Sequence, residues 1–176
     1  METTALYVEL IVIGLEVSLW LASFSVYFTD VKYLPMMAEV LGKLPVSILL
    51  LGVMYILGLL LDRLADLLFM RLERYCRTKT GLKSASTILI WKKSGQEEYM
   101  KFSRSKIRIL RASLLNVPLF FLSLLLNVAR CCGGKSAIFR FVLAVGIVLW
   151  LSAALGWWGA VKSFYQKAAI LEKAEP

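Results

Sequence analysis

The chain has 176 residues, of which 59% are hydrophobic and only 19% are charged. Soluble domains have about 45–50% apolar and about 25% charged residues, so this composition argues against a water-soluble globular fold. Histidine is absent, which removes the commonest general base and the commonest metal ligand. The composition instead indicates an integral membrane protein.

Four stretches are long and apolar enough to cross a bilayer, which takes a helix of about 20 predominantly apolar residues. The predicted spans cover residues 5–28, 44–68, 109–129 and 137–161. The first lacks a basic amino-terminal region and is too long for a signal peptide, so we expect it to remain in the mature protein. The predicted fold is all-α, a single integral membrane domain over 1–176, with two hairpins packed as a four-helix bundle.

One basic loop, over residues 69–108, connects the two hairpins. With four spans, the loop and both termini lie on one side of the membrane, and that side carries 16 of the 21 Lys and Arg residues. The positive-inside rule therefore predicts that the loop and both termini are cytoplasmic. Within the loop, residues 87–91 have strand propensity and are predicted as a short strand or a segment resting on the headgroups.

Acidic and polar residues repeat every seven positions along the first span: Glu2, Glu9, Glu16, Ser23 and Asp30. This spacing is nearly two helical turns, so these positions form one stripe. Glu16 lies about 16 Å into the span at 1.5 Å per residue, where an ionised carboxylate costs at least ~2.5–3.5 kcal/mol. Glu16 could belong to an ion or proton pathway or to a polar-lined oligomer pore. The alternative is that Glu16 is protonated and hydrogen bonds to a neighbouring helix.

The third span offers partners for this stripe. Asn116 and Ser123 have the same spacing, and the first and third spans run in the same direction, so Glu16 is expected between their levels. Pro118 frees the carbonyl of Leu114, a further acceptor. We predict an intramembrane polar stripe that consists of Glu9, Glu16, Ser23, Asn116 and Ser123.

Two charged faces meet where the second span leaves the membrane and the third enters it. Asp62 and Asp66 are four residues apart, and Arg104, Arg108 and Arg111 share one helix face. We predict that these residues form an interfacial ion-pair clasp between the two helices. The alternative is that the arginines contact lipid phosphates while the aspartates pair with near neighbours.

The fourth span has a helix-packing face of small residues, Ser152, Gly156 and Ala160, spaced four apart. Such a face lets helix backbones approach closely, within the bundle or between protomers. Trp157 and Trp158 lie near its cytoplasmic end, where an aromatic belt is expected.

Other kinds of site have little support. The chain has no nucleophile elbow and no phosphate-binding glycine loop, so we expect no enzyme activity, no catalytic or metal site and no cofactor. The basic loop suits anionic lipid headgroups and has no nucleic-acid-binding motif. Cys76, Cys131 and Cys132 do not make a disulfide framework; they are read as small apolar residues, with palmitoylation or intermolecular pairing as alternatives.

Three stretches resemble a family of small, uncharacterised bacterial inner-membrane proteins with four helices. They are LYVELIVIGLEVSLW at 6–20, YILGLLLDRLAD at 55–66 and FSRSKIRILRASLLN at 102–116. The resemblance implies the inner (plasma) membrane of a bacterium and assigns no activity and no site residue.

The expected function is that of a non-enzymatic multi-pass membrane protein, either a homo-oligomer or the membrane subunit of a larger assembly. An oligomeric channel or membrane effector subunit is one form of it. The alternative is an anchor or scaffold that docks a soluble partner through its basic cytoplasmic loop.

Overall fold

The structure is a computed structural model that describes residues 2–28, 44–82, 90–91, 94–132, 134 and 136–174. Within these residues the chain forms four long helices, α1 Glu2–Phe28, α2 Leu44–Lys79, α3 Glu97–Cys132 and α4 Ala137–Ala174, and no strand. Each helix is long and apolar enough to cross a membrane. The prediction of an all-α chain with four such helices is confirmed.

Three of the helices continue well beyond the predicted spans. α2 runs on to Lys79, α3 already begins at Glu97, and α4 continues to Ala174. The part of 69–108 that the structure describes is therefore mostly helical. Gly81 lies two residues after the end of α2, and its φ of 73° places it in the left-handed region that glycine adopts without steric cost. Glu97 and Glu98 lie in the first turn of α3, where negative charge is favoured by the helix dipole.

The helices pack so that α1 contacts α2 along one side and α3 along another, while α4 packs mainly against α3. α1 and α3 are parallel, because Glu9 contacts Arg108 near the start of both helices and Ser23 contacts Asn127 near their ends. This arrangement brings the polar residues of α1 against those of α3.

The closest approach of two backbones lies between α1 and α2. A Cβ atom built on Gly14 would overlap the carbonyl oxygen of Met54, and one built on Gly58 would overlap that of Leu10. Only glycine lets the helices pack this closely.

An aromatic cluster fills the end of the bundle where α2 finishes and α3 begins. Trp91 is fully buried there and stacks on Phe164, with ring centroids 5.5 Å apart. Ile90 and Trp91 are helical rather than extended, and Trp91 faces the protein interior rather than a headgroup layer. The remainder of the predicted strand, residues 87–89, lies outside the described residues.

Large apolar side chains cover the outside of the bundle. Leu155 is 74% exposed and Phe141 is 69% exposed, and the most apolar stretch of α4 is less buried than those of the other three helices. Soluble monomers rarely expose apolar patches of this extent, which fits a lipid-facing surface.

Candidate functional site

A line of hydrogen-bonded polar side chains joins α1 to α3. At its centre the Glu16 carboxylate accepts from the Ser113 hydroxyl at 2.9 Å and from the Asn116 amide at 2.8 Å. The Trp20 indole N–H in turn donates to the Asn116 side-chain oxygen at 3.2 Å. Glu16 is therefore paired inside the bundle and does not project from its surface.

The same line continues toward the far ends of α1 and α3. The Asn127 amide donates to the backbone carbonyls of Ser23 and Ser123, each at 2.9 Å. Beyond it, Arg130 donates to the backbone carbonyl of Tyr27. We call this line the polar seam; its residues are Glu16, Trp20, Ser23, Ser113, Asn116, Ser123 and Asn127.

The polar stripe predicted from the sequence falls partly within this seam. Glu16, Ser23 and Asn116 make contacts across the helix pair, whereas the buried Ser123 hydroxyl donates to the Phe120 carbonyl of its own helix at 2.7 Å. Glu9 lies on the same side of α1 but pairs with Arg108 instead. Asp30 lies outside the described residues.

Three seam residues were missed by the sequence analysis: Trp20, Ser113 and Asn127. Ser113 is three residues before Asn116, and Asn127 is four after Ser123, so both share the helix face of those residues. Neither of them is seven positions from a residue of the predicted stripe, so the sevenfold spacing did not identify them. Testing spacings of three and four as well would have found both.

A network of ion pairs forms at the end of the bundle that carries the aromatic cluster. Arg111, whose side chain is only 7% exposed, contacts Asp62 at 3.1 Å and Glu73 at 3.3 Å, and it also pairs with Asp66. A buried charge has to be paired in this way, because desolvation of an isolated ion costs several kcal/mol. One arginine of α3 therefore holds three acids of α2.

Arg108 connects this network to α1. It donates to the Glu9 carboxylate at 2.9 Å, and its Nε lies 3.8 Å from Asp62. The ion-pair network thus consists of Glu9, Asp62, Asp66, Glu73, Arg108 and Arg111. The structure adds Glu9 and Glu73 to the residues of the predicted clasp. Arg104 is exposed and makes no ion pair within the part of the chain that the structure describes.

A cavity of about 400 Å³ opens beside the network. Its charged lining comes from three acids and four arginines, Asp62, Asp66, Glu73, Arg63, Arg104, Arg108 and Arg111. The charges nearly cancel, so the cavity attracts neither cations nor anions strongly. Among the described residues no group of three or more Cys, Asp or Glu is arranged to hold a metal ion. The ion-pair network therefore holds α1, α2 and α3 together at the same depth in the bundle.

Pro118 frees a carbonyl that is used by α4 rather than by the seam. The Trp150 indole N–H donates to the Leu114 carbonyl oxygen at 3.2 Å. The proline thereby creates an acceptor for the fourth helix, because its ring cannot supply the usual backbone donor.

The small-residue face of α4 contacts side chains rather than a second backbone. A Cβ on Gly156 would meet Leu110 at an ordinary 3.6 Å, Ser152 is exposed and donates to the Val148 carbonyl, and Ala160 packs at the edge of the aromatic cluster. Packing of this face between protomers remains a prediction. The cysteines are free, Cys76 buried and Cys131 and Cys132 exposed.

No protein-family model, no curated protein and no solved structure matches this chain. These comparisons therefore assign no function to it.

Proposed function

We propose that this chain is a multi-pass protein of a bacterial inner membrane and acts as an oligomeric channel or membrane effector subunit. Its ion or proton path follows the polar seam between α1 and α3. Both termini and the end of the bundle with the ion-pair network lie in the cytoplasm.

The orientation is supported by the distribution of basic residues. Of the 21 Lys and Arg residues, 16 lie between Arg63 and Arg111 or from Lys162 onward. Cytoplasmic segments near membrane spans carry such an excess. The resemblance of residues 6–20, 55–66 and 102–116 to bacterial inner-membrane proteins supports the choice of membrane.

The observation that carries the proposal is the length of the polar seam. The seam extends from Glu16 to Asn127. The Glu9–Arg108 ion pair continues this line of polar contacts at one end of α1, and the hydrogen bond from Arg130 to the Tyr27 carbonyl continues it at the other. Joining two helices would take only one or two such contacts. Intramembrane ionisable residues are expensive to keep and commonly mark ion or proton paths.

Association with further copies is supported by α4. The most apolar stretch of this helix is less buried than those of the other three helices, and Gly159 on α4 faces open space. A second copy or a membrane partner subunit could cover this surface without displacing any contact within the chain. The seam would then lie inside a larger assembly.

The test is flux from liposomes that contain the purified protein alone. We expect wild-type protein to conduct, and Glu16→Leu to lose flux because the leucine removes both the charge and the acceptor. In Glu16→Gln the amide oxygen can still accept from Asn116 and the amide N–H can donate to the Ser113 hydroxyl, so the fold should be kept. Loss of flux in Glu16→Gln would identify proton transfer, and retention would identify an ion path that needs only polarity.

Glu98→Gln is the matched control, since Glu98 is an exposed acid at the start of α3 outside the seam. It should conduct as the wild type does. The proposal would be contradicted if the wild-type protein gave no flux, or if Glu16→Leu conducted as well as Glu98→Gln.

A second candidate, a scaffold for a soluble partner, is favoured by the helical extensions. α2, α3 and α4 continue past the predicted spans and pack around the buried Trp91 and Met100. This end of the bundle is therefore a folded surface that a partner could recognise. The scaffold predicts no flux.

Its test should change surface charge rather than delete the connecting segment, because a neutral linker over residues 80–100 would also remove Trp91 and Met100 from the cluster. Lys101→Gln with Lys106→Gln, both on the exposed side of α3, should abolish recovery of a soluble partner while leaving the thermal unfolding midpoint unchanged. Equal recovery by the wild type and the variant would contradict docking at this surface.

A further inference from the structure

A second large cavity lies between the ends of α2 and α4, and its charges differ from those beside the ion-pair network. It is a groove of about 650 Å³ whose basic lining is Lys79, Lys162 and Lys173. Its lining, within the part of the chain that the structure describes, has no acidic residue. We call it the lysine groove.

The three lysines are not neutralised from within. All three are exposed, and none forms an ion pair with another residue in the described part of the chain; Lys79 lies over the Tyr75 ring, 5.8 Å from its centroid. In the ion-pair network, by contrast, Arg108 pairs with Glu9 and Arg111 pairs with Asp62. The lysine groove therefore has positive charge available for an external anion.

The other walls of the groove are amphipathic. Trp158, Ala169 and Ile170 supply apolar surface, and Thr80 and Gln166 supply side chains that hydrogen bond. Trp158 follows the apolar part of α4, and Lys162 comes one turn later. Because tryptophan favours the headgroup level of a bilayer, the groove starts at that level and extends away from the membrane toward Lys173.

From these observations we infer that the lysine groove binds the phosphate groups of an anionic ligand at the membrane surface. Lys162 and Lys173 are eleven residues apart on α4, or about 16 Å along the helix, so the groove suits a ligand with more than one phosphate. The apolar wall beside Trp158 favours a phospholipid, whose headgroup phosphates would lie among the lysines. Basic pockets between membrane helices bind such headgroups. This groove is separate from the seam proposed for conduction.

The experiment measures the thermal unfolding midpoint of the purified full chain in a zwitterionic detergent. A lipid with two phosphates, diphosphatidylglycerol, is titrated in one arm, phosphatidylcholine in a second, and inorganic pyrophosphate in a third. We expect diphosphatidylglycerol to raise the midpoint saturably and phosphatidylcholine to leave it unchanged. A response to pyrophosphate at equal concentration would identify a soluble phosphate compound as the source of the ligand.

The variant replaces the three groove lysines with glutamine. Three basic residues near an anionic surface together raise the apparent affinity about 100-fold. The variant should therefore bind diphosphatidylglycerol about 100-fold more weakly than the wild type does. The matched control removes three positive charges elsewhere at the same end of the bundle, Arg71→Gln, Lys101→Gln and Lys106→Gln, and should keep the wild-type affinity.

Two results would overturn the inference. One is the absence of any response of the wild type to both phosphate compounds. The other is an equal loss of affinity in the groove variant and the control variant, which would mean that net charge alone attracts the lipid. Because all six substituted side chains are exposed, both variants should fold, and their midpoints without ligand verify this.

Discussion

Arg111→Met should lower the free energy of unfolding by about 3–5 kcal/mol, the typical cost of removing one partner from a buried ion pair. Among the described residues, Arg111 is the one residue of α3 that forms an ion pair with Asp66 or Glu73, and it also pairs with Asp62. Methionine fills a similar volume, so the loss reflects the unpaired carboxylates rather than a void. Reversible unfolding in mixed detergent micelles measures the change.

Arg104→Met is the control for this prediction, because Arg104 lies on the same face of α3 but is exposed and outside the network. Its effect should be within about 0.5 kcal/mol, as for most surface substitutions. Arg111→Lys should fall between the two, since a single ammonium group cannot reproduce the forked contacts of a guanidinium. If Arg111→Met were no more harmful than Arg104→Met, the network would not stabilise the bundle.

Gly14→Ala should separate α1 from α2, because the added Cβ would occupy the position of the Met54 carbonyl oxygen. Backbone atoms cannot rotate away as a side chain can, so the helices themselves must move. Overpacking of this kind costs about 1–3 kcal/mol. The same unfolding measurement applies, and we expect Gly58→Ala to behave alike, since its Cβ would overlap the Leu10 carbonyl.

Gly52→Ala is the matched control on α2. A Cβ there meets no atom within 4 Å, and alanine is favoured over glycine inside a helix by about 0.8–1.0 kcal/mol. This variant should therefore be as stable as the wild type or more stable. A similar loss in Gly14→Ala and Gly52→Ala would show that helix propensity or lipid contact, not backbone proximity, governs both sites.

Much of the candidate site could be predicted because the helical repeat fixes which side chains share a face. The sevenfold spacing of Glu9, Glu16 and Ser23 places them on one side of α1, and the fourfold spacing of Asp62 and Asp66 does the same on α2. From the parallel course of α1 and α3, the sequence predicted Glu16 between the levels of Asn116 and Ser123. The structure instead pairs Glu16 with Ser113 and Asn116, nearer the start of α3.

The spacing of residues along the sequence did not determine how far apart the helices lie or how each helix is rotated about its own axis. Glu73 is eleven residues from Asp62 in sequence, yet the two carboxylates contact the two terminal nitrogens of the same Arg111 side chain. Glu9 was assigned to the stripe of α1, but it pairs with Arg108. A long arginine side chain can reach several turns of a neighbouring helix, so the sequence does not determine its partner.

The sequence by itself determined that four apolar helices form, because an apolar segment of that length can satisfy its backbone in lipid only as a helix. Only the tertiary structure decided that Gly14 and Gly58, rather than the small residues of α4, allow the closest backbone approach. It likewise brought Lys79 of α2 to the same groove as Lys162 and Lys173 of α4. The physical reason is that helix formation depends on local hydrogen bonds and composition, whereas helix packing depends on how side chains of distant segments fit together.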